Sequence, residues 1–202
     1  MRILLFLFTG LCVFIPEVSS QSYAVDNWWQ GHVILKDSSQ LDGWINYDYE
    51  SNSLILKQGM TQRTYVAQDV MMFKIYEVRK EGELVFISRD YYPIYQQNQY
   101  GFSMPSFYNV ILNGQVSVLL KSRDEHPNYF LMRGGYFYGD EVYLRFENGM
   151  VVKASERKRK LVSQLGGNKK ELLEFIRRYN LNLRYPYDVQ RLVSFYNDKG
   201  EL

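Results

Sequence analysis

Cysteine is almost missing from this chain: Cys12 is the only one in 202 residues, and it falls in a segment marked for removal. The rest of the chain therefore has no thiol nucleophile, no thiolate ligand for zinc and no disulfide. Histidine is nearly as scarce. His32 and His126 are the only two, and neither sits in a metal-binding spacing such as HExxH. Phosphate-cradling glycine motifs, a G-x-S-x-G elbow and a supported S-x-x-K set are also missing. Strong charge of one sign is lacking too: 24 basic and 22 acidic residues give a net of +2. That balance does not suggest a nucleic-acid binder. With 46% hydrophobic and 23% charged residues, the composition excludes wholesale disorder and allows a sizeable core.

What is abundant is aromatic: 18 tyrosines, 12 phenylalanines and 3 tryptophans. The N-terminus reads as an address. Met1-Arg2 precedes an apolar run from Ile3 to Ile15 that Pro16 and Glu17 close. The run has signal-peptide length and is too short to span a bilayer as a helix. Val18 and Ser20 suit cleavage after Ser20, with Ala24 a second choice and a retained anchor the alternative. A lipobox is excluded because Leu11, a large residue, precedes Cys12. The expected location after cleavage is the periplasm or the cell exterior.

Residues 21–154 read as a β-rich domain. Short Tyr/Val/Ile/Phe/Trp runs are punctuated by Gly, Asn and Asp. Asn113-Gly114 joins Phe107–Leu112 to Gln115–Leu120, and Asn148-Gly149 joins Glu141–Phe146 to Met150–Val152. Both dipeptides predict type I′ hairpins with φ > 0 at both turn residues. A third hairpin pairs residues 70–78 with 84–88, and an earlier one turns at Glu50-Ser51-Asn52. Tight turns between neighbouring runs predict antiparallel pairing.

Residues 155–202 read as a basic helical segment packed on that domain. Ser155 is the expected N-cap of a helix to Leu165, stopped by Gly166-Gly167. Asn168 caps a second helix, Asn180 suits its C-terminus, and Pro186 breaks the chain. A last helix covers about Asp188 to Asn197. The fold class is α+β: a mostly antiparallel sheet, open barrel or sandwich of about 8–11 strands, then two or three short helices. A shift of 17 residues lays Leu172, Phe175, Ile176, Tyr179 and Asn180 on Val189, Leu192, Val193, Tyr196 and Asn197, as expected of two short packed helices each ending in an asparagine cap. Residues 21–150 carry a net charge of −4 and residues 151–202 a net of +6, so the chain is dipolar.

This layout of leader, Asn-Gly hairpins and basic helices ending in Tyr-Asn, most visible from Lys158 to Asn197, resembles the small exported β-rich proteins of unknown function in Bacteroidetes-type bacteria. The resemblance implies location and architecture and carries no functional residue.

Three stretches are candidate contact surfaces. Tyr91 to Tyr108 interleaves aromatics with Gln, Asn, Gly and Pro, a composition suited to a binding loop or to a covering flap. Tyr92, Tyr95, Tyr100 and Phe102 are its candidate contacts. Trp28 and Trp29 adjoin the first strand, where alternation turns one ring to the core and the other outward. Arg157, Lys158, Arg159 and Lys160 are candidates for contact with an anionic surface, against the plainer reading of a solvated helix face. Asp124-Glu125-His126 reads as a polar loop, so no metal site, cofactor or catalytic residue is expected. The function these features imply is an exported, non-catalytic binding module for an envelope protein. The alternatives are a glycan binder on the 91–108 loop, or a carboxylate hydrolase using acids such as Asp69, Asp90, Asp140 or Glu141.

Overall fold

The computed structural model describes residues 28–48, 51–77, 82–91, 104–121 and 141–200. The leader and residues 92–103, including Tyr92, Tyr95, Tyr100 and Phe102, lie outside the described residues, as do His126 and Asp140. The described chain forms ten strands: β1 (Trp29–Leu35), β2 (Gln40–Asp48), β3 (Ser53–Gln58), β4 (Thr61–Val66), β5 (Val70–Glu77), β6 (Gly82–Tyr91), β7 (Met104–Leu112), β8 (Val116–Lys121), β9 (Glu141–Phe146) and β10 (Val151–Lys153). Three helices follow: α1 (Lys158–Leu165), α2 (Lys169–Arg178) and α3 (Pro186–Gly200). The architecture is α+β. All ten strands belong to one open antiparallel sheet in the order β10-β9-β8-β7-β6-β5-β1-β2-β3-β4.

That order forces the sheet to coil. β4 leads to β5 through only Ala67, Gln68 and Asp69, yet β5 pairs with β1, on the far side of the four-stranded unit. Four strand spacings in a flat sheet are about 19 Å, whereas the chain from Val66 to Val70 reaches at most about 14 Å. Strands β1–β4 therefore curl back towards β5. Val33, Ile45, Leu54, Leu56, Phe73, Phe86 and Phe107 are buried inside the curl. At its centre Phe73 and Phe86 stack at 4.6 Å, Tyr47 tilts against both, and Phe107 meets Phe73 edge-on at 5.1 Å. Asn52, in the β2–β3 turn, fastens the curl. Its Oδ1 accepts from Phe107 N (3.0 Å) and from the Tyr47 hydroxyl (3.2 Å), and its Nδ2 donates to Ser106 Oγ (3.4 Å).

The other half coils to the opposite face. Cα atoms of β10 and β6 come within 8 Å, although four strand spacings separate them in the sheet order. Ile87, Tyr108, Leu119, Tyr143 and Val151 are buried on the inner side of this second curl. Its outer side carries Val116, Val118, Leu120, Val142 and Leu144, which the helical layer covers with Leu161, Val162, Leu165, Leu172, Ile176, Val189, Leu192 and Val193. Alternation explains how strand neighbours such as Phe86 and Ile87, or Phe107 and Tyr108, serve different cores.

Several sequence expectations change here. The strand expected from Phe107 starts three residues earlier, at Met104, so residues 104–106 leave the aromatic loop: β6 runs to Tyr91, Tyr91 pairs with Met104, and Phe107 and Tyr108, which the loop reading also included, are buried. Neither Asn-Gly dipeptide makes a type I′ turn. Asn113, Gly114 and Asn148 do not take positive φ; Gly149 does, at 81°. Phe146 and Met150 flank a three-residue loop closed by Phe146 N to Met150 O and Gly149 N to Phe146 O, the wider hairpin that needs only one left-handed residue. At the other dipeptide the β7–β8 register shifts between Val110 and Leu112.

The helix boundaries change as well. Ser155 is not the cap of α1, whose N-cap is Arg157 without a side-chain bond. Ser155 N instead donates to Gln164 Oε1 at 3.0 Å, while Gln164 Nε2 donates to Lys153 O at 2.9 Å. Pro186 opens α3 rather than breaking the chain, since proline's fixed φ and missing N–H suit a first helical position. Asn168 caps α2 as expected, accepting from Glu171 N. Gly166 and Gly167 take positive φ between α1 and α2.

Candidate binding surfaces

The curl of β1–β5 has an outer face, and its cross-strand rows can be read from the register. Gln30 pairs with Trp44 and Trp44 with Lys57, while Lys57 pairs with Gln62. Tyr76 lies one step beyond the Gly31–Ile75 pair and so extends the row beside Gln30. The result is Tyr76–Gln30–Trp44–Lys57–Gln62 across five adjacent strands. Trp44 is 52% exposed and Tyr76 40%. Two strand spacings, about 10 Å, separate them. Trp28 flanks the row with the Lys57 ammonium 5.8 Å from its ring centroid, within cation–π range. In the next row Lys74 and Asp42 pair with His32, and His32 Nδ1 lies 2.7 Å from Asp42 Oδ1.

The two sequence-selected tryptophans, both half-buried, have different neighbours. Trp29 packs against the aromatic core of the first curl, and Trp28 meets Lys57 outside it. Trp44 and Tyr76 escaped the sequence reading, although a usable signal was present. In β2 Trp44 shares its face with Asn46 and Asp48, while Ile45 and Tyr47 take the buried one. A tryptophan in phase with polar residues is placed outward.

The second surface is the outside of the helical layer. Arg157, Lys158, Arg159 and Lys160 are all exposed. Tyr179, Tyr185 and Tyr187 stand out nearby, at 48%, 43% and 59% exposed. The Arg191 guanidinium lies between two of these rings, 5.4 Å from the centroid of Tyr179 and 5.9 Å from that of Tyr187. Arg184 Nε reaches Glu156 Oε2 at 3.4 Å and so joins the chain entering α3 to the foot of α1.

Of the carboxylates singled out for hydrolysis, Glu141 and Asp69 have local partners. Glu141 accepts from the Tyr143 hydroxyl (2.7 Å) and pairs with Lys153 (2.5 Å). Asp69 closes the β4–β5 turn: its Oδ2 accepts from Val66 N at 3.5 Å, its N–H donates to Val66 O, and its carbonyl accepts from Lys36 N. Among the described residues, no group of three His, Cys, Asp or Glu is placed to hold a metal ion. No helix among them is long and apolar enough to cross a membrane. Comparison with protein-family models, curated proteins and solved structures yields no match.

Proposed function

We propose that the protein is an exported, non-catalytic binding module of the cell envelope, and that it engages its ligand through the outer face of the β1–β5 curl. The supporting observation is the row Tyr76–Gln30–Trp44–Lys57–Gln62, in which half-exposed rings alternate with long polar side chains on a braced sheet. Rings contribute large contact area at small entropy loss, and amides adapt their hydrogen bonds to the ligand. Strands hold such groups more rigidly than a loop does.

The preferred ligand is another envelope protein. Trp44→Ala combined with Tyr76→Ala is expected to abolish capture of that protein from envelope extract and to leave the far-UV spectrum intact. Undiminished capture by the double variant removes this face from the proposal. A glycan is the second reading, favoured by the alternation of ring and amide along one row, since a pyranose offers an apolar face and a hydroxyl rim. Binding on a glycan array that disappears with Trp44→Ala selects the sugar. An empty array at millimolar glycan eliminates it.

A further inference from the structure

The helical layer carries a second surface with different chemistry. Four ion pairs in this part of the chain engage Lys153, Arg184, Arg191 and Lys199. Eight further cations have no ion pair among the described residues: the run Arg157 to Lys160, then Lys169, Lys170, Arg177 and Arg178. All eight are exposed. Arg157 is the N-cap of α1, and the other seven lie on helices of 8 and 10 residues joined by a three-residue connection, so at 1.5 Å per residue the eight fall within roughly 20–25 Å of one another.

Arg177 and Arg178 complement the C-terminal end of α2, but the placement of the run Arg157 to Lys160 is unfavourable for the isolated fold. The first turn of α1 contains no acid, and cations there oppose the positive end of the helix dipole. A local conflict of this kind, with nothing in the fold to relieve it, points to an external anion. The three exposed tyrosines adjoin the cations. Tyr179 follows Arg178 directly, and the Arg184–Glu156 pair holds the segment of Tyr185 and Tyr187 beside Arg157.

We propose that this basic, tyrosine-edged surface docks on an anionic phospholipid bilayer. Clustered cations are attracted to phosphate-bearing headgroups and need no insertion. Tyrosine suits the same layer, with its ring towards the acyl boundary and its hydroxyl in water. Single-stranded nucleic acid is disfavoured by the ring packing. Two of the three rings are already engaged: Tyr179 tilts against Phe175 with centroids 4.6 Å apart, and the Arg191 guanidinium lies 5.4 Å from the Tyr179 centroid and 5.9 Å from that of Tyr187, whereas base stacking needs an open ring face. The inference is independent of the aromatic row on the sheet.

The test is co-sedimentation of the full chain with vesicles of phosphatidylcholine alone and of phosphatidylcholine with about one-third phosphatidylglycerol, following the charge dependence of polybasic surfaces. Wild type is expected to sediment with the anionic vesicles at low salt, to leave them at high salt, and to ignore the neutral ones. Each of Lys158→Gln and Arg178→Gln should lower partition about fivefold. The reversal Lys158→Glu/Lys160→Glu/Arg177→Glu/Arg178→Glu should abolish it with the far-UV spectrum unchanged. Tyr187→Ala should weaken binding without altering its salt dependence. Equal binding to neutral vesicles, or sedimentation retained by the charge-reversed chain, overturns the proposal. Tighter binding to a DNA duplex or to heparin than to anionic vesicles at the same salt overturns it in favour of that polyanion.

Discussion

Asn197 of α3 pairs with the backbone of Val116 in β8 as a neighbouring strand would. Its Oδ1 accepts from Val116 N at 3.0 Å, and its Nδ2 donates to Val116 O at 3.0 Å. Two other helix amides act in the same way. Gln190 Nε2 donates to Ile111 O (2.9 Å), at the β7 irregularity that frees this carbonyl, and Gln164 bridges Lys153 O and Ser155 N at the β10 edge. Backbone groups left over where β pairing fails must find partners. Here side-chain amides supply them and fix the helical layer in one position on the sheet.

Replacing Asn197 by Ala strands both polar groups of Val116, a buried residue, and should lower stability by about 1–3 kcal/mol. Gly114 should respond in the same way. A Cβ there would collide with the Asn197 amide, so Gly114→Ala displaces the clamp without touching it chemically. Chemical denaturation of both single variants and the double variant decides the point. The double should fall well short of the summed single effects, because each change disables the same pair of bonds.

Asn52 combines two roles that substitution can separate. Its φ is 53°, and its side chain bonds Tyr47, Ser106 and Phe107. Asn52→Gly keeps the left-handed backbone and loses the bonds. Asn52→Ala loses the bonds and adds about 1 kcal/mol of backbone strain. The alanine variant should therefore have the lower denaturation midpoint. Equal midpoints would show that the turn can leave the left-handed region at no expense.

Asp37 holds the β1–β2 turn, where Ser38 takes a φ of 70°. Its carboxylate accepts from the Ser39 hydroxyl (2.6 Å) and the Ser39 backbone N–H (2.9 Å), and these bonds hold its pKa below the ordinary carboxylate value. Both bonds favour the charged form. The stabilisation they give is thus present above the ordinary carboxylate range, and it is lost as pH falls through the lowered folded value. An NMR titration of the side-chain carboxyls should find Asp37 titrating below a free aspartate, and Ser39→Ala should bring it back up. An unshifted Asp37 in the wild type would contradict the turn geometry.

Much of the architecture was legible because its determinants are local. Period-two alternation placed most of the strands, the Asn168 cap and the glycine pair placed α2, and the hairpin partners were right. What could not be read was non-local. Nothing near β1 says that it enters between β5 and β2, and the coiling of the sheet follows from that insertion. The Asn113-Gly114 dipeptide pointed to the right hairpin for the wrong reason, since its glycine makes room for Asn197, 83 positions on. The Tyr179-Asn180 and Tyr196-Asn197 echo looked like two caps. Asn180 does take a left-handed φ of 48° at the end of α2, whereas Asn197 lies inside α3 and serves a strand. The loop candidates Tyr92, Tyr95, Tyr100 and Phe102 lie outside the described residues; the exposed Trp44 and Tyr76 could not be read as a pair from sequence, because they acquire their common row only through the β5-β1-β2 pairing.

The tight curl of β1–β5 depends on a glycine pair, and this can be tested against a different kind of glycine. Gly31 and Gly43 face each other across β1 and β2. A Cβ on Gly31 would strike the Lys74 carbonyl and approach Ile45 Cδ1 to 2.5 Å, and one on Gly43 would come within 2.5 Å of the Lys57 carbonyl. These carbonyls belong to ladder strands and cannot step aside, so each Gly→Ala change should exceed the usual overpacking penalty of about 1–3 kcal/mol or loosen the curl outright. Gly59 differs: its φ is +60° and a Cβ there would meet nothing within 4 Å. Asparagine tolerates that backbone, so Gly59→Asn should be close to neutral, while Gly31→Asn should be at least as damaging as Gly31→Ala. Thermal denaturation of the four variants reads this order directly. A Gly31→Ala protein as stable as Gly59→Asn would mean that the sheet curls without needing the close approach of its neighbouring strands.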